Sequence, residues 1–138
     1  MEAEGAIFQS SVDSEVILHL LARSSSGSLI ERIVGGLATR VRGAFSLLFL
    51  TQEGLIGVRD PYGVRPLLLG KLKDGYVLAS ESCVFDLIGA TRIRDIEPGE
   101  VVKIDEDGVT SYKPFPPTQI AQCVFEFVYF ARPDSIIF

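Results

Sequence analysis

The first part of the chain places apolar residues at the spacing of an α-helix. The segment 13–23 follows two serines that predict a helix cap, and its apolar side chains share one face: Val16, Ile17, Leu20 and Leu21. The segment 28–41 continues at the same spacing, although Gly35 and Gly36 lower its helical preference. The pattern therefore predicts two helices, and the serine-rich stretch 24–27 is expected to end the first.

After Gly43 the pattern changes to short apolar runs that alternate with turn residues. The runs predict strands at 44–51, 55–58, 66–70, 76–80, 101–104 and 109–112. Turn residues such as Asp74-Gly75 join consecutive runs, so the pattern predicts antiparallel hairpins and a sheet in which sequence neighbours pair. Between the hairpins, the segment 81–88 predicts a short helix that Gly89 closes.

The last part of the chain combines a proline-rich segment with an aromatic one. The prolines in 113–118 exclude a central strand and predict an extended connector. The apolar run 124–130 then predicts a last strand. Helices followed by antiparallel hairpins indicate an α+β domain with its helices on one face of a sheet.

Composition and charge exclude several classes of protein. Apolar residues at 47% and charged residues at 22% indicate a globular domain and not a disordered chain. The net charge of −5 comes without a cluster of Lys and Arg, so neither nucleic acid nor a membrane surface is an expected partner. No apolar run approaches the ~20 residues of a membrane span, and no signal peptide is evident, so the sequence predicts a cytoplasmic protein.

Three sequence blocks carry the most specific information. The turn block is Arg59-Asp-Pro-Tyr-Gly-Val-Arg-Pro-Leu67, the Ser-Glu block is Ala79-Ser-Glu-Ser-Cys83, and the C-terminal block is Cys123-Val-Phe-Glu-Phe-Val-Tyr-Phe-Ala-Arg-Pro-Asp-Ser135. Local chemistry alone predicts a rigid turn for the first block and an aromatic strand ending at a proline for the third. In this order, and over nearly the whole chain, the blocks resemble the glutaminase half of the glutamine phosphoribosylpyrophosphate amidotransferases.

The resemblance implies a fold and a division of the chain. The fold is that of an N-terminal-nucleophile hydrolase, an α+β four-layer αββα sandwich with mostly antiparallel strands, of which this chain is expected to form an incomplete part. Residues 1–130 correspond to the later part of a class II glutaminase domain, and residues 131–138 to the start of the junction with a phosphoribosyltransferase domain. A sandwich that lacks layers leaves sheet edges and an apolar face uncovered, so the chain expressed alone is expected to self-associate or to be poorly soluble.

The resemblance also implies a reaction. Members of the family attack glutamine with an N-terminal cysteine and pass the ammonia to phosphoribosyl pyrophosphate, with Mg²⁺, to form 5-phosphoribosylamine in purine biosynthesis. Here Met1 is followed by Glu2, so no catalytic residue is assigned and the chain is expected to be an internal, inactive fragment. The full-length family commonly forms homotetramers.

Asp13 is the candidate substrate-binding residue. By local physics a carboxylate at the start of a helix caps backbone N–H groups, and that is the alternative reading. In the family, an aspartate in the context Ser-Ser-x-Asp-x-Glu holds the α-ammonium group of glutamine, and Asp13 matches that position. A carboxylate suits this task because the ammonium group supplies its charge partner.

The cysteines and the histidine receive weaker assignments. Cys123 matches the position of one [4Fe–4S] ligand in iron–sulfur members of the family, and an inert thiol is the alternative because such clusters need four thiolates. Cys83 is assigned to packing. His19 stands alone on its helix and receives no catalytic role.

Two other functions stay open at this level. The turn and Ser-Glu blocks also resemble asparagine synthetases, and glucosamine-6-phosphate synthases have a related glutaminase domain, although the C-terminal block is absent from asparagine synthetases. A non-catalytic binding or scaffold module that keeps the fold is the alternative of another class.

Overall fold

The structure is a computed structural model that describes residues 5–24 and 27–138. It divides into two compact units, Met1–Arg42 and Gly43–Phe138. Ser25 and Ser26, in the stretch expected to end the first helix, lie outside the described residues. Within the part of the chain that is described, no helix combines the length and the hydropathy of a membrane span.

The first unit contains the two predicted helices, α1 (Asp13–Arg23) and α2 (Leu29–Arg40). Helix α2 begins with a capping box in which the Ser28 hydroxyl accepts from the Glu31 N–H at 3.3 Å and the Glu31 carboxylate accepts from the Ser28 N–H at 2.6 Å. Arg32 donates from Nη2 to the Leu21 carbonyl at 2.7 Å and so satisfies a carbonyl in the last turn of α1. These local bonds allow α2 to form despite its two glycines.

The second unit consists of antiparallel strands and one short helix. The strands are β1 (Ser46–Thr51), β2 (Gly54–Arg59), β3 (Leu68–Leu72), β4 (Gly75–Ala79), β5 (Thr91–Asp95), β6 (Val101–Asp105) and β7 (Gly108–Tyr112). They form a four-stranded sheet in the order β1-β2-β6-β7 and a three-stranded sheet in the order β4-β3-β5. Helix α3 (Cys83–Ile88) ends at Gly89, whose φ of 69° is the left-handed conformation expected of a C-terminal glycine.

The two sheets of this unit pack face to face. Their shared core contains Leu67, Leu69, Leu78, Ile96 and Val102. Gly57 on β2 lies so close to the opposite sheet that a Cβ there would fall 2.6 Å from the Leu78 side chain. The close approach explains why this position in a buried central strand has no side chain.

Three expectations from the sequence were wrong. Sequence neighbours do not always pair, because β2 pairs with β6, so the strands form two sheets and not one. Strand β5 was missed, since its residues are mostly exposed and Ile93 gives no buried stripe. The predicted strand 124–130 is instead one turn of π-helix at Glu126–Phe130, in which the apolar side chains are exposed and only Glu126 is buried.

A buried carboxylate ties the two sheets together. Glu100 is 1% exposed and accepts two hydrogen bonds from Arg94 on β5, at 2.6 and 2.8 Å. It also accepts from the Ser111 hydroxyl on β7 and from the Glu97 N–H, both at 2.6 Å. Burial alone would raise the pKa of Glu100, but these donors outweigh it and hold the pKa below its ordinary value.

This lowered pKa predicts a specific acid sensitivity. A depressed folded-state pKa adds stability that is complete above the unfolded pKa, about 4.3, and is lost as the pH falls through the folded value. Glu100→Gln should lower the free energy of unfolding at neutral pH by about 1–2 kcal/mol, because charged hydrogen bonds become neutral ones. The free energy of unfolding of this variant should also fall less between neutral pH and about pH 4 than that of the unsubstituted protein. Denaturant titrations from neutral pH to below pH 4 measure both effects. Glu106→Gln, at an exposed position, is the control. The prediction would be wrong if the unsubstituted protein and both variants lost the same free energy of unfolding on acidification.

Candidate functional site

The loop before α1 presents Asp13 on a framework built by Glu15. The Glu15 carboxylate accepts from the backbone N–H groups of Gln9 at 2.7 Å and Ser10 at 2.9 Å, and from the Ser10 hydroxyl at 2.6 Å. The Ser10 hydroxyl in turn accepts from the Val12 N–H at 3.3 Å. The Gln9 N–H, followed by the Ser10 hydroxyl, lowers the pKa of Glu15, so Glu15 is ionised at neutral pH.

Asp13 does not act as the helix cap. The N-cap is Val12, without a side-chain hydrogen bond, and Asp13 is the first helical residue. Asp13 therefore caps no backbone N–H group, although as an acidic residue in the first turn it complements the helix dipole. The cap expected from the serines is also absent, and Glu15 orders the backbone instead. Within the described residues the exposed Asp13 carboxylate has no hydrogen bond or ion pair, so it can receive a cation.

His19 also contributes to this loop. Its ring meets Phe8 edge to face, with centroids 4.7 Å apart, and its Nε2 lies 3.8 Å from the Glu15 carboxylate. The His19 side chain is therefore packed between Phe8 and Glu15.

The turn block is a rigid buried turn, as predicted. Arg59 is 3% exposed and donates to three carbonyl oxygens: from Nε to Arg65 at 2.8 Å, from Nη1 to Ile96 at 2.5 Å and from Nη2 to Gly63 at 3.1 Å. Burial lowers the pKa of Arg59, while Asp95, Asp60 and Glu100 act in the opposite direction. The Arg59 guanidinium therefore holds the backbone of the turn in place from inside.

Asp60 fixes the turn from its other side. It is fully buried, and its carboxylate accepts from the N–H groups of Tyr62 at 2.9 Å, Val64 at 3.3 Å and Phe45 at 3.4 Å. All of these donors are backbone groups. The Arg59-Asp60 pair consequently shapes the backbone and does not offer free groups to a ligand.

The C-terminal block packs onto the turn block. The Cys123 N–H donates to the Val64 carbonyl at 3.0 Å. Arg65 forms an ion pair with the buried Glu126, and its guanidinium lies 3.9 Å from the centre of the Phe130 ring. The lone carboxylate of an aromatic run is thus the residue that turns inward.

The Ser-Glu block holds the segment that follows the π-helical turn. The Glu81 carboxylate accepts from the Arg132 N–H at 2.8 Å and from the Ser135 hydroxyl at 2.9 Å. The Ser82 hydroxyl accepts from the Ile136 N–H at 2.6 Å. The hydrogen bond from the Arg132 N–H is the main reason why the pKa of Glu81 is lowered.

The three blocks meet in one cleft of about 410 Å³, which we call the motif cleft. It is lined by Ala44, Phe45, Ser46, Arg65, Pro66, Ser80, Glu81, Glu126 and Phe130. Its charged groups are already paired with one another or with backbone donors. In the described chain the cleft therefore positions the segments that line it.

The cysteines do not form a metal site by themselves. Cys83 is 4% exposed and donates weakly to Glu81, with the sulfur 3.8 Å from the oxygen, which agrees with a packing role. Cys123 is a half-buried free thiol. Among the residues described, no three His, Cys, Asp or Glu side chains are grouped to hold a metal ion. A four-thiolate cluster therefore does not fit the donors of this chain alone.

Sequence reasoning missed the two carboxylates that organise the sites, Glu15 and Glu126. The signal for Glu15 is its place three residues after the N-cap, where a glutamate side chain reaches back to free N–H groups. The signal for Glu126 is its position between Phe125 and Phe127, because a charge in an aromatic run needs a partner when buried.

Comparison with known proteins gives consistent results. Residues 1–86 match the family model described as a glutamine amidotransferase domain. Amidophosphoribosyltransferase 1 of Arabidopsis thaliana, named as chloroplastic, is 45% identical over 139 residues, covering 100% of this chain and 24% of that protein. The amidophosphoribosyltransferase of Mycobacterium tuberculosis is 50% identical over 125 residues, covering 91% of this chain and 24% of that protein. The chain thus spans about a quarter of the length of these relatives.

Solved structures extend the likeness to the fold. Glutamine phosphoribosylpyrophosphate amidotransferase from Bacillus subtilis, complexed with ADP and GMP, superimposes with a TM-score of 0.94 at 42% identity, covering 99% of this chain and 30% of that one. A structure described as the allosteric regulatory enzyme of purine biosynthesis gives the same TM-score and identity, with 29% of that chain covered. The α+β fold is therefore that of the N-terminal-nucleophile hydrolases. The chain belongs to the glutamine amidotransferase domain family, and along its length it corresponds to part of the N-terminal domain of amidophosphoribosyltransferases.

Proposed function

We propose that this chain is part of a glutamine-dependent amidophosphoribosyltransferase. Such an enzyme hydrolyses glutamine to glutamate and ammonia, and the ammonia displaces pyrophosphate from phosphoribosyl pyrophosphate to give 5-phosphoribosylamine. The substrates are proposed from the names of the relatives, since the chain covers only about a quarter of their length.

One observation supports this proposal most strongly. The C-terminal block, which asparagine synthetases lack, closes the motif cleft through the Arg65–Glu126 ion pair and the hydrogen bonds to Glu81. A block that is integrated into the fold in this way favours an amidophosphoribosyltransferase over asparagine synthetase or a glucosamine-6-phosphate synthase. It also gives the domain boundary near residue 130 a physical basis, although that boundary stays a prediction.

Asp13 is proposed to hold the α-ammonium group of glutamine. Its carboxylate is exposed and without an intramolecular partner in the described chain, while Glu15 fixes the backbone around it. Because the backbone around Asp13 is already fixed, only its side chain has to be ordered when it binds the cation, which favours a specific contact.

The cofactors proposed from the resemblance are external to the described residues. Mg²⁺ would neutralise the pyrophosphate group of the second substrate. For a [4Fe–4S] cluster this chain offers Cys123 alone as an accessible thiol, so Cys123 stays a proposed single ligand at most. The tetrameric assembly is likewise proposed from the resemblance alone, and the cytoplasmic location stays a prediction from the sequence.

A chimera tests the proposed function directly. The Bacillus subtilis enzyme would carry this chain in place of its matching segment, since the two superimpose over 99% of this chain. We expect the chimera to form phosphoribosylamine from glutamine and from ammonia, with glutamine-dependent kcat/KM within about tenfold of the parent enzyme. A chimera that uses ammonia at the parent rate but not glutamine would overturn the proposal. The parent enzyme, assayed in parallel with both nitrogen donors, is the control.

A further inference from the structure

The segment 131–136 is fixed by two adjacent side chains. Glu81 accepts from the Arg132 N–H and the Ser135 hydroxyl through the same oxygen, Oε2, and Ser82 accepts from the Ile136 N–H. These acceptors follow β4 directly and precede α3, so they belong to the framework of the second unit. We call this arrangement the Glu81 clasp.

Two of the three hydrogen bonds of the clasp come from backbone N–H groups of the segment, and one comes from a side chain. The Arg132 guanidinium pairs with Asp134, at 2.9 and 3.0 Å, and is not the group that Glu81 holds. Glu81 instead accepts a hydrogen bond from the backbone N–H of Arg132. Because a backbone N–H points in a direction set by the local backbone conformation, this bond constrains the course of the chain. Its lowered pKa keeps the carboxylate ionised and hence a strong acceptor.

The residues that immediately precede this segment are held separately, by the turn block. There Arg65 binds Glu126 and covers Phe130. The π-helical turn is thus anchored on the turn block, and the segment 131–136 that follows it is anchored on the Ser-Glu block. A displacement of either block would alter the direction of the segment 131–136.

We propose that the Glu81 clasp is a positioning device that couples glutamine hydrolysis to the use of the ammonia. The inference rests on the proposed function, in which the segment 131–138 leads to the phosphoribosyl-transferring domain. A fixed direction of the segment 131–136 keeps the glutaminase site and the phosphoribosyl-transferring site correctly placed relative to each other. Small displacements of reacting groups lower the reaction rate strongly. Glu81 acts through the segment it holds and touches no reacting atom.

The test uses the chimera described above with two substitutions at one position. Glu81→Ala removes the acceptor, whereas Glu81→Gln keeps an oxygen at the same distance from the backbone and is the conservative control. In the Ala variant we expect the phosphoribosylamine formed per glutamate released to fall about three- to tenfold, with the ammonia-dependent rate unchanged. The Gln variant should keep the ratio within about twofold. Amide hydrogen exchange of Arg132 and Ile136 should accelerate in the Ala variant only.

Each other outcome overturns the inference. A parallel fall of the glutamine- and ammonia-dependent rates would show a purely structural role for Glu81. Accelerated amide exchange with an unchanged product ratio would show that the clasp exists but couples nothing. An unsubstituted chimera that uses ammonia but not glutamine would overturn the proposed function itself, and this inference with it.

Discussion

Asp13→Ala is expected to lower kcat/KM for glutamine by about 10- to 100-fold in the chimera while the ammonia-dependent reaction keeps its rate. A charge-assisted hydrogen bond contributes about 1.5–3 kcal/mol, and each 1.4 kcal/mol is a factor of ten. The loss should fall on glutamine alone because the proposed partner of Asp13 is the α-ammonium group, which free ammonia bypasses. Steady-state assays with each nitrogen donor measure both quantities.

Two further variants make this test specific. Asp13→Asn keeps the shape of the side chain but not its charge, so it should lower glutamine use in the same direction. Asp86→Ala removes an exposed aspartate from the first turn of another helix, α3, and should change neither reaction. If the glutamine and ammonia reactions decreased together in Asp13→Ala, the assignment of Asp13 to the ammonium group would be wrong.

Arg59→Met should lower the free energy of unfolding by about 3–5 kcal/mol, the range for removing one partner of a buried charged network. Methionine fills a similar volume but leaves the carbonyl oxygens of Arg65, Ile96 and Gly63 without their donor. It also removes the positive charge of Arg59 from the surroundings of the buried Asp60 carboxylate. Chemical denaturation followed by circular dichroism measures the change.

The control for this prediction is another arginine of the second unit. Arg92 pairs with Asp95 at 2.6 Å, but its side chain is 37% exposed, so Arg92→Met should cost about 0–1 kcal/mol. Arg59→Lys should lie between the two, because an ammonium keeps the charge but not the fork of donors. Equal losses for the Arg59 and Arg92 methionine variants would show that the buried turn does not depend on its guanidinium.

Much of the second unit could be predicted because its signals are local. Paired apolar runs, the Asp74-Gly75 turn and the helix end at Gly89 depend on residues close in sequence, and all three are confirmed. Strand β5 depends instead on pairing with β3, since its own residues carry no buried pattern. The aromatic run 124–130 was mistaken for a strand because apolar side chains predict burial, whereas here the inward residue is Glu126.

The candidate sites divide in the same way. Asp13 and its context were found from a short motif, and its ligand role stays a prediction. The three blocks were recognised singly, but their meeting in one cleft could not be derived from spacing. The bonds from Arg65 to Glu126 and from Glu81 to the Arg132 N–H join residues 61 and 51 positions apart. No local pattern encodes such pairs, so the cleft needed the structure.

These separations in sequence also determine the order in which the contacts can form while the chain is synthesised on the ribosome. The bonds around Glu15 span five or six positions and can form as soon as α1 emerges. Arg65 and Glu81 emerge much earlier than the residues that they hold, so the nascent chain carries a half-built cleft until Ile136 has left the ribosome. A ribosome that pauses within the C-terminal block would thus leave Arg65 and Glu81 without these partners until the rest of the block has emerged.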